Sequence, residues 1–183
     1  NRMYNLDDIK LVKVQFKDIE KQRIERNKYF VRSKMINQKI ISKKQQLKWF
    51  KLTSKMNTGY YFIINFKGLT IGAGSIKDID IVNSLCTWGF YIFKKYNGIF
   101  GLLAEIKILD EILIKRKIRK IYGYTISHNK QILNLHKICG FEIEGILKKQ
   151  LIINKKKIDI IITSLFKESW IKNKKKIVKK FKL

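Results

Sequence analysis

One amphipathic helix set between two apolar strands constrains this chain more than any other feature. "GLLAEIKILDEILIKRK" (101–117) is apolar at 102, 103, 106, 109, 112 and 113, a single stripe of helical period. An aromatic strand, "LCTWGFYIF" (85–93), precedes it, and "KIYGYTI" (120–126) follows. Upstream, "IKLVKVQF" (9–16) alternates as a half-buried strand does, and "KDIEKQRIERNKYF" (17–30) has helical spacing. "SKKQQLKWFKLTSK" (42–55) opens with Ser42 and Gln45 in a capping-box pattern. "GYYFIINF" (59–66) and "LTIGAGSI" (69–76) flank Lys67-Gly68 as a hairpin. Downstream, "KQILNLHKIC" (130–139) reads as a helix stopped by Gly140, and residues 141–152 and 156–166 as two long strands. The order strand, helices, three strands, helix, strand, helix, two strands predicts an α/β domain with a mixed sheet.

The chain has 183 residues, 45% of them apolar, which suffices for one core. No repeat or Gly/Ser-rich linker divides it. We therefore expect a single domain over 1–170, followed by a basic C-terminal helix or solvated tail over 171–183. No apolar run approaches the ~20 residues that cross a bilayer, and "NRMYNLDDIK" lacks a signal-peptide pattern. Cys86 and Cys139 lie in apolar surroundings without metal-ligand spacing, so no metal is expected and both read as thiols of a reducing, cytoplasmic compartment.

The net charge of +27 points first to a polyanion. Yet proline is absent, alanine is confined to Ala73 and Ala104, and Lys, Ile and Asn are abundant, a bias that AT-rich coding produces without selection for a ligand. The lysines are spread along the chain, clustering only at 154–159 and 172–182. That distribution argues against a dedicated nucleic-acid surface while favouring a small anionic ligand.

Two segments carry chemistry. In "KKYNGIFG" (94–101), Gly98 and Gly101 let backbone N–H groups approach an anion, and the helix beginning after Gly101 points its positive end there. The segment has neither a nucleoside-triphosphate loop's lysine-serine ending nor dinucleotide-fingerprint spacing. In "SHNKQILNLHKICGFEIEG" (127–145), Asn129 stands at a capping position, and Ile132, Leu135, His136 and Cys139 form one stripe. His136 therefore looks inward, either as a satisfied core residue or as a group of a site.

The layout over residues 9–170 resembles the GNAT superfamily of acetyl-CoA-dependent N-acetyltransferases. Within it, the chain is most similar to bacterial nucleotide-sugar enzymes that acetylate a UDP-linked 4-amino-4,6-dideoxy sugar in pseudaminic acid synthesis. The likeness is carried by "ERNKYFVRSKM" (25–35) with "ISKKQQLKWF" (41–50), by "GLTIGAGSI" (68–76), by "NKQILNLHKICGFEIEG" (129–145), and by "KIDIIITSLFKESW" (157–170), with Asp159 and Trp170 in place. It implies a twisted, mostly antiparallel sheet of about seven strands flanked by helices, with two central strands splayed at 87–92 and 120–126. It also implies direct attack of an amine on the thioester of acetyl-CoA.

On this resemblance the main chain of Asn97, Gly98, Ile99, Phe100, Gly101, Leu102 and Leu103 holds pyrophosphate. Phe90, Tyr91 and Ile92 line the pantetheine arm, and Asn129 contacts it. His136 falls where the family has a tyrosine near the sulfur. A free thiol titrates near ~8.5 and imidazole near ~6.5, so a protonated ring can supply the proton a departing thiolate takes. Tyr124 stands where relatives place a carboxylate, either orienting a water or packing on the arm; no general base is evident. Acceptor contacts fall to Arg26, Met35, Gln46, Trp49 and Tyr91, with Arg26 suited to phosphate. Trp49 reads equally as a core residue. Gln46 replaces the motif's histidine, and Tyr96 and Ile99 replace the loop's polar residue and glycine. The rival readings are an N-terminal acetyltransferase of the ribosomal-protein type, a non-catalytic polyanion-binding module, and a degenerate fold that binds CoA without turnover. The chain is expected to act as a monomer or a homodimer.

Overall fold

A computed structural model describes residues 4–55 and 59–183; residues 1–3 and 56–58 of the expected 1–170 domain lie outside the described residues. Seven strands form one sheet in the order β1-β2-β3-β4-β5-β7-β6. They are β1 (Ile9–Lys13), β2 (Tyr60–Phe66), β3 (Leu69–Asp80), β4 (Leu85–Ile92), β5 (Lys120–Ile126), β6 (Glu142–Ile153) and β7 (Lys156–Phe166). Every neighbouring pair is antiparallel except β4 and β5, which run parallel. The mixed, mostly antiparallel sheet expected from the sequence is the one observed.

Helices cover both faces. α1 (Ile19–Asn27), α2 (Tyr29–Arg32) and α3 (Lys43–Thr53) lie between β1 and β2 in sequence. α4 (Ile99–Leu109) connects β4 to β5, α5 (Lys130–Cys139) connects β5 to β6, and α6 (Lys167–Phe181) ends the chain. α3 begins on the expected capping box: the Ser42 hydroxyl accepts from Gln45 N–H, and the Gln45 side chain accepts from Ser42 N–H. Leu103, Ile106, Ile108 and Leu109 of α4 are fully buried with Phe62, Ile64 and Ile71 of the sheet, forming the main core. Val14, Ile19 and Ile63 make a second, smaller cluster against Leu47, Trp49 and Phe50.

Several boundaries differ from the sequence expectation. The first strand stops at Lys13 rather than 16, and β3 continues to Asp80 rather than 76. The helix expected over 17–30 breaks at Lys28, which is extended (φ −60°, ψ 140°), because Asn27 turns its amide to the backbone of Ile41. α4 begins at Ile99, not after Gly101. It then gives way to a widened turn over Asp110–Lys115, closed by Arg116 N–H donating to the Glu111 carbonyl. The basic segment expected as a C-terminal helix or a solvated tail is helical: it belongs to α6, whose Trp170 and Ile177 are buried along with Leu183. The Trp170 indole N–H donates to Asp110 at 3.0 Å, and the Lys174 ammonium pairs with the same carboxylate at 2.6 Å. α5 ends at Gly140 in the left-handed region (φ 95°), where a Cβ would lie 1.8 Å from the Asn173 side chain of α6. Among the described residues, no helix is long and apolar enough to cross a membrane.

Candidate active site

β4 and β5 pair only at their beginnings: Leu85, Cys86 and Thr87 lie opposite Lys120, Ile121 and Tyr122. Past that point β4 stays with β3 to Ile92, and β5 stays with β7 to Ile126. The parallel strands therefore part, and the gap runs along 88–92 and 123–126, so Thr87 and residues 120–122 are paired rather than splayed. Each diverging strand keeps hydrogen bonds on its outer edge only. Its inner edge offers unpaired main-chain donors and acceptors to whatever enters, as buried backbone groups demand. Trp88 sits at the closed end of the gap, directly after the last pair: a Cβ on Gly123 would lie 3.4 Å from its indole nitrogen.

At the far end of β4, Gly98 occupies the capping position of α4 with φ 113° and ψ −132°, a conformation glycine adopts without strain. Nothing would touch a Cβ there, so the turn is open on its outer side. The first-turn amides are free by helix geometry, except that Gly101 N–H donates to the Gly98 carbonyl at 3.1 Å. Because α4 starts at Ile99, the amides of Leu102 and Leu103 lie inside the helical ladder, and Leu103 is fully buried; these two leave the set expected to hold phosphate. The bulky residues in the turn face inward. Phe100 packs in an aromatic nest with Phe66 (4.8 Å), Tyr4 (5.7 Å) and Tyr96 (6.1 Å), and Ile99 packs on the core. Tyr96 and Ile99 thus depart from the family pattern without obstructing the backbone.

α5 forms the facing wall. Asn129 caps it, accepting from Ile132 N–H at 3.4 Å, and lines both the main cleft and a narrower groove of ≈ 250 Å³ shared with Asn97, Gly98, Gly101 and Leu102. Ile92 and Phe90 border that groove too. Gln131 donates to the Asn97 side chain at 2.8 Å and accepts from Lys34 at 3.3 Å, joining the turn at Gly98 to the segment after α2.

His136 is 7% exposed and lines the cleft. Its ring lies 5.2 Å from Trp88 and 4.8 Å from Phe141, and its Nδ1 is 2.8 Å from Oε1 of Glu105 on α4. Glu105 is fully buried. Cys139, one turn along α5, has its thiol pushed up by burial and by the neighbouring Glu105 carboxylate.

A cleft of ≈ 770 Å³ opens from the strand gap toward α1, α3 and the irregular segment 33–42. Arg26, Met35, Gln46, Trp49, Tyr91 and Tyr124 all line it, so the structure brings the acceptor set expected from the sequence into one space with His136. Burial holds the Arg26 guanidinium below its ordinary value. One of its nitrogens donates to the Asn37 carbonyl at 2.5 Å, while Nη1 is buried without a partner. The Tyr91 phenol is pushed up to about 12, first by burial, while Gln22 and Arg26 beside it pull the other way. Gln46 is buried and donates to Gln22 at 3.4 Å. Trp49 stacks edge-on against Tyr61 at 5.1 Å, serving the small core and the cleft together. Tyr124 is 47% exposed and reaches the cleft beside Tyr122.

Sequence reasoning missed Trp88, Glu105 and three further cleft-lining cations, Lys34, Lys39 and Lys77. Glu105 had a signal: with 102, 106 and 109 it occupies one helical face, so a carboxylate sat on an otherwise apolar stripe. The lysines had none, since they come from distant segments. Four cations, Arg26, Lys34, Lys39 and Lys77, border the cleft, and no described Asp or Glu does. Nor do the described residues group three or more His, Cys, Asp or Glu as metal ligands would be.

No known protein family's sequence pattern matches the chain, and no curated protein sequence matches it. Solved structures do match. Spermidine N-acetyltransferase from Vibrio cholerae in complex with CoA and spermine superimposes with a TM-score of 0.84 at 17% identity, covering 90% of this chain and 99% of that one. A chimera of the same Vibrio cholerae enzyme gives 0.82 at 19% identity, over 90% and 98%. Its dodecameric form in an intermediate state gives 0.75 at 16% identity, over 90% and 97%. The fold of this chain is GNAT-like, matching that of these solved structures.

Proposed function

We propose that this chain is an acetyl-CoA-dependent N-acetyltransferase whose acceptor is an anionic amine, best met by a 4-amino-4,6-dideoxy sugar carried on a nucleoside diphosphate. The fold likeness supports the reaction class. The splay supports it independently: an amide-bearing arm entering between residues 88–92 and 123–126 meets unpaired backbone groups, and a pyrophosphate meets the open turn at Gly98. In this reading the acceptor nitrogen attacks the acetyl carbon, the carbon–sulfur bond breaks, and His136 supplies the proton the sulfur takes up.

The charge of the cleft carries the choice of acceptor. Spermidine is a polycation and calls for carboxylates, whereas Arg26, Lys34, Lys39 and Lys77 border this cleft without one described Asp or Glu. The unpartnered Nη1 of Arg26 suits a phosphate oxygen. Met35 and Trp49 supply an apolar surface for a base or a sugar methyl group.

Labelled acetyl-CoA offered with UDP-4-amino-4,6-dideoxyhexose, with spermidine and with a ribosomal-type peptide tests the proposal. We expect label on the sugar and none on spermidine. Label on spermidine alone overturns the acceptor assignment, label on the peptide alone replaces it with N-terminal acetylation, and label on none removes the enzyme reading.

A further inference from the structure

We propose that Glu105 is the positioning residue of this site. Its carboxylate holds the Nδ1 hydrogen of His136, leaving Nε2 to take the proton lost by the acceptor amine and return it to the departing sulfur. This rests on the acetyl-transfer reading above and supplies the base that reading lacks.

The geometry is specific. Glu105 Oε1 and His136 Nδ1 are 2.8 Å apart, Glu105 is fully buried, and the ring is flanked by Trp88 and Phe141. An ionised carboxylate only accepts, so the hydrogen sits on Nδ1; a neutral imidazole carries one N–H, so Nε2 keeps its lone pair. Among the described residues Nε2 makes no hydrogen bond, yet it is not one of the buried atoms stranded without a partner, as Glu105 Oε2 and Arg26 Nη1 are. It therefore meets the cleft that His136 lines. Stability alone argues against a carboxylate here. Leu102, Ile106 and Leu109 share its helical face, and an apolar residue packs such a position at no desolvation cost.

The proton balance then closes within one residue. The amine lone pair forms the nitrogen–carbon bond, and the nitrogen's proton passes to Nε2. The carbon–sulfur bond breaks with its electrons on sulfur, and Nε2 returns the proton there. His136 ends neutral, and Glu105 stays a carboxylate throughout.

Ring ¹⁵N spectroscopy reads the tautomer directly, because the chain has only two histidines and His128→Asn assigns the other. We expect the hydrogen on Nδ1 in the native protein and its loss in Glu105→Met. With acetyl-CoA and UDP-4-amino-4,6-dideoxyhexose, Glu105→Met should lower kcat about 100-fold while KM for acetyl-CoA stays within about twofold. Glu105→Gln keeps a carbonyl acceptor and should lose less. A native hydrogen on Nε2, or full turnover in Glu105→Met, overturns the proposal. Should Glu105→Met fail to fold, the native spectrum and Glu105→Gln decide the same question. Absence of acetylation of any acceptor would refute the reaction class, whereas the tautomer alone tests whether Glu105 orients the ring.

Discussion

On one wall of the cleft, α5 is seated with α4 on the main core and brings Asn129 and the Glu105-paired His136 to the cleft. On the other wall, α1, α3 and the segment 33–42 rest on three buried apolar residues and are otherwise stitched by side chains to backbone. Arg23 and Asn27 both donate to the Ile41 carbonyl (3.1 and 2.8 Å), Asn27 accepts from Ile41 N–H (2.8 Å), and Arg32 donates to the Gln38 carbonyl (3.0 Å). Apolar packing is insensitive to direction but unforgiving of volume, so the first wall fixes a ring to a fraction of an ångström. Hydrogen-bonded loops hold shape through a few replaceable contacts, and on the proposed function the second wall is the one that selects the acceptor. In the proposed reaction, chemistry and selectivity are thus supported by different forces.

Removing the ring proposed to move the proton should produce the largest effect. His136→Phe should cut turnover by about 10²–10⁴-fold with affinity for CoA nearly unchanged, read by steady-state kinetics beside calorimetric CoA binding. Turnover at the native rate would move the proton path elsewhere. Next comes the packing of the same wall: Leu109→Ala should cost about 2–5 kcal/mol of stability in denaturant unfolding, since Leu109 is fully buried.

The stitched wall should respond differently. Asn27→Ala should cost about 1–3 kcal/mol, leave KM for acetyl-CoA unchanged and raise KM for the acceptor. Equal changes in both constants would mean that the two walls act as one. A control away from both walls is Glu144, whose carboxyl is held below its ordinary value first by Lys120 and then by the Ser164 hydroxyl. Its side chain is 40% exposed, so the contribution is small. Glu144→Gln should cost less than about 1 kcal/mol. With the folded value depressed, that contribution is present above the ordinary carboxylate value and fades as pH falls through the lowered one; thermal melts of both proteins should converge there.

The contrast between the walls also explains what could be read in advance. β5, α5 and β7 fall on their expected residues because their signals are local: an apolar strand at 120–126, a stripe ended by Gly140, a long strand at 156–166. Asn129 and His136 were legible for the same reason. The start of α4 was misplaced because Ile99 and Phe100 do not resemble a phosphate turn until the nest around Phe66 gives their side chains somewhere to go. For α6 a helix was one of two expectations, but its packing was hidden by its own lysines: Trp170 and Ile177 stand seven residues apart on one face, and the charges between them dominate the composition. Glu105 gained meaning only once α5 brought an imidazole to it. The cations of the cleft come from α1, the segment 33–42 and β3, a convergence that no window of sequence contains.

The measurement that bears most directly on the account is a crystal structure of the protein with acetyl-CoA bound. We expect the pantetheine arm between residues 88–92 and 123–126, the pyrophosphate at the amides after Gly98, and the sulfur within hydrogen-bonding distance of His136 Nε2. A cofactor lying outside the strand gap, or a sulfur on the far side of Trp88 from that ring, would contradict it.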